Sequence, residues 1–143
     1  MIVGFMTKAG CRIYVVDDDP SARSALGRLL KSAGFQAKLF PSAQEFLDGG
    51  PVEPDAVIIL DVRMPGFSGL ELQKSLKVAG EILPIIFLTA FEDPQARSEA
   101  LGQGAVAFLQ KPVEETVLFE AIKKAESKNG KIRNYSVAPG TDK

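Results

Sequence analysis

The sequence predicts an α/β fold, a doubly wound parallel sheet of five strands with five helices in (βα)5 order, and two observations predict it. Short, almost wholly apolar runs alternate with longer amphipathic segments, which is the pattern of βα units around a buried parallel sheet. Five such runs occur: Arg12–Val16, Gln36–Phe40, Ala56–Leu60, Ile85–Leu88 and Ala105–Leu109, each rich in Val, Ile, Leu or Phe.

Capping signals place the helices between them. Asp19 as N-cap and Pro20 at the first helical position start the first helix, and Gly34 stops it; Ala22, Ala25, Leu26, Leu29, Leu30 and Ala33 form its apolar face. Ser42 caps a second helix with Phe46 and Leu47 inward. Ser68 starts a third through Leu70, Leu72 and Leu76, and Asp93-Pro94 repeats the cap-plus-proline start for a fourth. The last helix follows Lys111-Pro112 and runs to about Ser127, with Val117, Leu118, Ala121 and Ile122 as its buried stripe. The spacing predicts one domain over 11–127, an N-terminal extension over 1–10, and a polar linker or frayed tail over 128–143.

Composition excludes several function classes. The chain has 143 residues, 45% hydrophobic and 24% charged, with 17 basic against 18 acidic side chains. That is the balance of a globular protein, and a net charge of −1 gives no overall pull toward nucleic acid or anionic lipid. Direct nucleic-acid binding by this domain is not expected. Cys11 is alone, so no intramolecular disulfide forms and a reducing compartment fits. Met1 to Gly10 does not look like a secretory signal, and the apolar stretch from Ile82 to Phe91 is interrupted by Pro84 and too short for a bilayer. A cytoplasmic protein without membrane contact is expected. Histidine is absent, which removes histidine-based nucleophilic dyads, histidine-ligated zinc and a phosphohistidine on this chain.

In an open parallel sheet, functional residues collect beyond the carboxyl ends of the strands. There the sequence offers Asp17-Asp18-Asp19 after the first strand, Asp61 and Val62-Arg63-Met64-Pro65-Gly66 after the third, Thr89-Ala90 after the fourth, and Gln110-Lys111-Pro112 after the fifth. Carboxylates meeting at one sheet edge repel unless a cation lies among them, and hard oxygen ligands suit Mg²⁺, with Mn²⁺ as an alternative. A lysine and a hydroxyl at the same edge complete a cradle for the equatorial oxygens of a transferring phosphoryl group. Singly, each residue has an ordinary reading: Asp19 as a helix cap, Asp17 or Asp18 as a strand exit, Asp61 as a turn residue, Lys111 as a solvated loop charge. Their joint arrival at the ends of one sheet favours function.

Four ordered segments carry a resemblance to a known family: Val15-Val16-Asp17-Asp18-Asp19, Leu60-Asp61-Val62-Arg63-Met64-Pro65-Gly66, Leu88-Thr89-Ala90 and Phe108-Leu109-Gln110-Lys111-Pro112. From about Cys11 to Ser127 the chain resembles the receiver domains of response regulators. The wording around Asp17 and Asp61 is most similar to receivers of nitrogen-fixation-type regulators, many of which carry a LuxR-class helix-turn-helix. The resemblance implies a flavodoxin-like fold with strand order 2-1-3-4-5 and a phosphoacceptor switch rather than an enzyme. Asp61 would take the phosphoryl group from a phosphohistidine of a cognate sensor histidine kinase. Asp18, Asp61 and the main-chain carbonyl of Arg63 would ligate Mg²⁺, and Asp17 would act mostly through bound water; strand length favours Asp17 and Asp18 over Asp18 and Asp19 as the acidic pair. Lys111 would pair with the phosphoryl oxygens, the Thr89-Ala90 segment would close on them, and Phe108 would swing into the vacated space. The output face would be the fourth helix, fifth strand and fifth helix, also the expected surface of a homodimer. Arg63 and Phe91, a long cation and a bulky aromatic at the positions flanking attacking water, are expected to slow hydrolysis.

Three rivals are weaker. A phosphatase of the haloacid-dehalogenase type would place its nucleophile after the first strand; Asp17 and Asp19 have the spacing, but Ser21 replaces the expected Thr and there is no room for a cap. A degenerate binding module would lack the acceptor, the acidic pair or the lysine. A nucleotide- or flavin-binding protein would need a phosphate loop where Asp17-Asp18-Asp19-Pro20 repels anions.

Overall fold

The computed structural model describes residues 12–50 and 52–141, with side chains up to residue 128. The expected extension Met1 to Gly10, and Cys11, lie outside the described residues. The elements run β1 Arg12–Val16, α1 Pro20–Ser32, β2 Gln36–Phe40, α2 Ala43–Asp48, β3 Val57–Asp61, α3 Gly69–Val78, β4 Ile85–Thr89, α4 Pro94–Gly102, β5 Ala107–Gln110 and α5 Glu115–Thr141. All strand pairings are parallel and the order is β2-β1-β3-β4-β5. The chain order reverses beside β1, so the loops after β1 and β3 splay apart and open a crevice at the carboxyl edge.

Alternation along each strand sorts the core into two layers. Tyr14, Val16, Ile58, Leu60 and Phe87 face α2, α3 and α4 through Phe46, Leu72, Leu76, Ala96 and Ala100. Ile13, Val15, Val57, Ile59, Ile86 and Leu88 face α1 and α5 through Leu30, Leu118 and Ile122. β3 and β4 are buried throughout because helices cover both faces, whereas the edge strand β2 keeps only Phe40 fully inside.

The caps form as their residue types dictate. Asp19 accepts from the N–H groups of Ser21 and Ala22, Ser42 from Glu45, and Asp93 from Ala96, while Ser68 and Glu71 form a reciprocal capping box. Gly34 leaves α1 with φ of 94°, a conformation in which a Cβ would be strained.

Three expectations need correction. Leu47 and Val117 are exposed rather than inward, because Phe46 and Leu118 already occupy the core-facing line of their short stretches. In α1, Ala25 and Ala33 are exposed and only Leu30 is fully buried; the face is narrower than the count of apolar residues suggests. α5 continues past Ser127 to Thr141. No proline follows Pro112 until Pro139, and Gly130 costs only about 1 kcal/mol against alanine, which an already nucleated helix propagates through.

Candidate functional site

The ends of β1 and β3 bring Asp17 and Asp61 together at the carboxyl edge, 4% and 8% exposed. Lys111, just beyond β5, reaches back between them. Its Nζ donates to Asp17 Oδ2 at 2.8 Å and to Asp61 Oδ2 at 3.3 Å. The remaining oxygens are also held: Asp17 Oδ1 accepts the Asp19 N–H at 3.0 Å and Asp61 Oδ1 the Arg63 N–H at 3.2 Å. Asp18 is exposed, and one oxygen from each of Asp17, Asp18 and Asp61 lies within 4.8 Å of the others. Asp19 is turned away as the α1 cap, so the carboxylates that gather are 17, 18 and 61.

Charge and burial conflict here. Burial is the largest influence on Asp61 and raises its pKa, the Asp17 charge adds to this, and Lys111 and the Arg63 N–H only partly offset them. Burial by itself pushes the Lys111 pKa down, but its bond to Asp17 and the charges of both aspartates outweigh that and raise it. Three carboxylates and one ammonium leave two negative charges, and an all-oxygen donor set of this charge fits a hard divalent cation.

A stability consequence follows. A folded pKa raised above 3.8 means that the Asp61 contribution is present below pH 3.8 and is lost as pH climbs through the folded value. At neutral pH without divalent cation, Asp61→Asn is therefore expected to stabilise the protein. The gain should vanish toward pH 3.8. Thermal melts across pH check this, and Mg²⁺ should raise the midpoint of wild type more than that of the variant.

Thr89 is 2% exposed at the end of β4; its Oγ1 accepts the Phe91 N–H at 3.4 Å and its carbonyl accepts the Lys111 N–H at 2.8 Å. The backbones of Thr89 and Lys111 are thus tied through adjacent strands. Ala90 is exposed immediately after it. The Phe108 ring lies on the core side, 5.9 Å from Phe87, beside a pocket of about 360 Å³ lined by Thr89, Phe91, Asp93, Arg97 and Phe108 among others.

Polar groups that the sequence reading missed surround the site. Arg23 donates to the Asp17 carbonyl at 2.7 Å and holds the β1–α1 loop, while Arg97 donates to the Phe108 carbonyl at 2.9 Å. Asp93, expected only as a cap, also binds the Arg63 guanidinium at 3.1 Å. A cation in the first helical turn after an acidic loop was the available signal for Arg23; for the other two contacts, which join separate elements, local sequence holds none.

A model described as the response regulator receiver domain matches residues 13–123. The chain belongs to the response regulator receiver family. It is 45% identical over 125 residues to the transcriptional regulatory protein FixJ of Bradyrhizobium diazoefficiens, covering 85% of this chain and 60% of that protein. It is 42% identical to the transcriptional regulatory protein TdiR of Thauera aromatica, over 86% of this chain and 55% of the relative. The chain thus spans little more than half the length of these relatives. Among solved structures, the response regulator StyR superposes with a TM-score of 0.82 at 40% identity, over 88% of this chain and 64% of that one. FixJ-N superposes with a TM-score of 0.76 at 37% identity, over 81% and 93%. The protein is a phosphoacceptor signalling switch of the two-component type, and its sheet order is that of the flavodoxin-like receivers. No helix among the described residues is long and apolar enough to cross a membrane.

Proposed function

We propose that Asp61 is the phosphoacceptor and that the donor is a phosphohistidine on a sensor histidine kinase. The observation that carries this is the Lys111 ammonium bridging Asp17 and Asp61. It places one positive charge on the very oxygen pair where a phosphoryl group would bring more negative charge. An Asp61 oxygen attacks phosphorus, the bond from phosphorus to the histidine nitrogen breaks, and the imidazole leaves with the electron pair. Asp17 fixes the ammonium, so Lys111 can turn to the phosphoryl oxygens without an entropic search. Asp18, Asp61 and the Arg63 carbonyl are the ligands proposed for Mg²⁺ or Mn²⁺, with Asp17 acting through water. When bound, the cation neutralises charge that builds up during transfer.

Thr89 supplies the hydroxyl that meets the phosphoryl group, the Thr89-Ala90 segment moves with it, and Phe108 fills the space beneath. The readout is the α4-β5-α5 face, which also serves as the surface for a second copy. α4 suits such a shift, since Ala96 and Ala100 are its only buried side chains; a coupling of about 1–3 kcal/mol suffices to bias the equilibrium. The signalling unit is 11–127, in the cytoplasm, flanked by 1–10 and 128–143. FixJ and TdiR are transcriptional regulatory proteins; the output proposed for this chain is likewise control of transcription, through a further domain, and this domain itself neither binds nucleic acid nor turns over a substrate.

Incubation with Mg²⁺ and acetyl phosphate, followed by intact mass, tests the acceptor. Wild type should gain one alkali-labile phosphoryl group and Asp61→Asn none. Steady phosphate release without an adduct would contradict the reading.

A further inference from the structure

Arg63 and Phe91 leave the loops that carry Asp61 and Thr89, yet their side chains are exposed, 58% for Arg63 and 60% for the Phe91 residue. An arginine on a surface loop samples many rotamers, and ordering it carries an entropic cost. Asp93 supplies the restraint. Its Oδ2 accepts from Arg63 Nη2 at 3.1 Å, and the guanidinium lies 5.4 Å from the centroid of the Phe91 ring. Asp93 is itself fixed, because its Oδ1 accepts the Ala96 N–H at 3.0 Å and caps α4. One carboxylate thus uses one oxygen to start a helix and the other to hold a cation. The cation in turn ties the loop after β3 to the loop after β4, above strand ends that pair through Asp61 and Leu88.

We propose that Asp93 is a positioning residue that sets the lifetime of the phosphoryl group, by holding Arg63 against Phe91 over the acceptor. The proposal rests on the reading of Asp61 as acceptor. In hydrolysis a water oxygen attacks phosphorus, the bond to the Asp61 oxygen breaks, the carboxylate leaves with its electron pair, and the surplus proton goes to the phosphate product. Arg63 held on Phe91 narrows the approach of that water. Asp93 does not touch the phosphoryl group and acts only through Arg63.

The test compares wild type, Asp93→Asn, Arg63→Ala and the double variant, each phosphorylated with acetyl phosphate and Mg²⁺, freed of donor and followed by intact mass. Asparagine keeps the capping oxygen, so α4 and the thermal midpoint should be preserved while the ion pair is lost. Asp93→Ser, which also caps, serves as a second variant. Adduct should form in all. Asp93→Asn and Asp93→Ser should shorten the half-life about two- to fivefold, the range that the free energy of an exposed ion pair corresponds to. The double variant should decay no faster than Arg63→Ala alone. A wild-type half-life in Asp93→Asn, or fully multiplicative effects in the double variant, would overturn the proposal. No adduct in any protein would instead overturn the acceptor reading, and this proposal with it.

Discussion

Lys111→Ala is expected to destabilise the protein by about 3 kcal/mol at neutral pH in the absence of divalent cation, the cost of leaving buried charge without its partner. The ammonium stands between two carboxylates that are 4% and 8% exposed, and no other side-chain cation bonds either of them among the described residues. Without it Asp17 and Asp61 face each other across a poorly hydrated gap. The loss should exceed that of a surface lysine, whose ion pair contributes about 0–1 kcal/mol. Mg²⁺ should recover part of it by taking over the charge balance, although the β5 end would no longer be tied to Asp61. Urea unfolding with and without Mg²⁺ measures both effects. An alanine variant as stable as wild type in metal-free buffer would mean that the cluster is not an electrostatic unit.

Gly69→Ala is expected to cost about 2–3 kcal/mol, as overpacking against a structure unable to yield. Gly69 opens α3, and its N–H donates to the Val62 carbonyl at 3.0 Å. A Cβ there would overlap the Asp61 carbonyl oxygen, with the Asp61 carbonyl carbon at 3.0 Å and Leu60 Cγ at 3.2 Å. The first two obstacles are backbone, so no change of rotamer relieves them. Either α3 withdraws or the end of β3 shifts, and with it Asp61. Phosphorylation by a small donor should slow by about tenfold, the sensitivity expected of a reacting group displaced by a fraction of an ångström. Gly102→Ala is the control, since its Cβ would meet nothing within 4 Å. Equal melting points and phosphorylation rates for the two variants would contradict this account.

The residues that were legible from the sequence are those whose role is set within a few positions. Asp19-Pro20, Ser42, Ser68 and Asp93-Pro94 start helices because capping is a local hydrogen bond, and β1 and β2 have the bounds that their apolar runs predict. β3, β4 and β5 each end one residue later than expected, at Asp61, Thr89 and Gln110, and β3 and β5 also begin later, at Val57 and Ala107, since ladder pairing rather than hydrophobicity bounds a strand. Leu47 and Val117 were misplaced because an apolar residue beside a true core position looks the same in a short helical window. The candidate site was visible as four strand-end segments. Its bonds were not: Lys111 and Asp17 are 94 positions apart, and Arg63 and Asp93 are 30 apart. Such contacts depend on the register between strands, which one sequence does not print.

The measurement that bears most directly on the central claim is localisation of the acyl phosphate. Wild-type protein phosphorylated with acetyl phosphate and Mg²⁺ would be reduced with borohydride, which converts an aspartyl phosphate to homoserine, and its peptides read by fragmentation. Homoserine at position 61 alone, absent when Mg²⁺ is withheld, is the predicted result; homoserine at 17 or 18, or none despite a mass adduct, would contradict it.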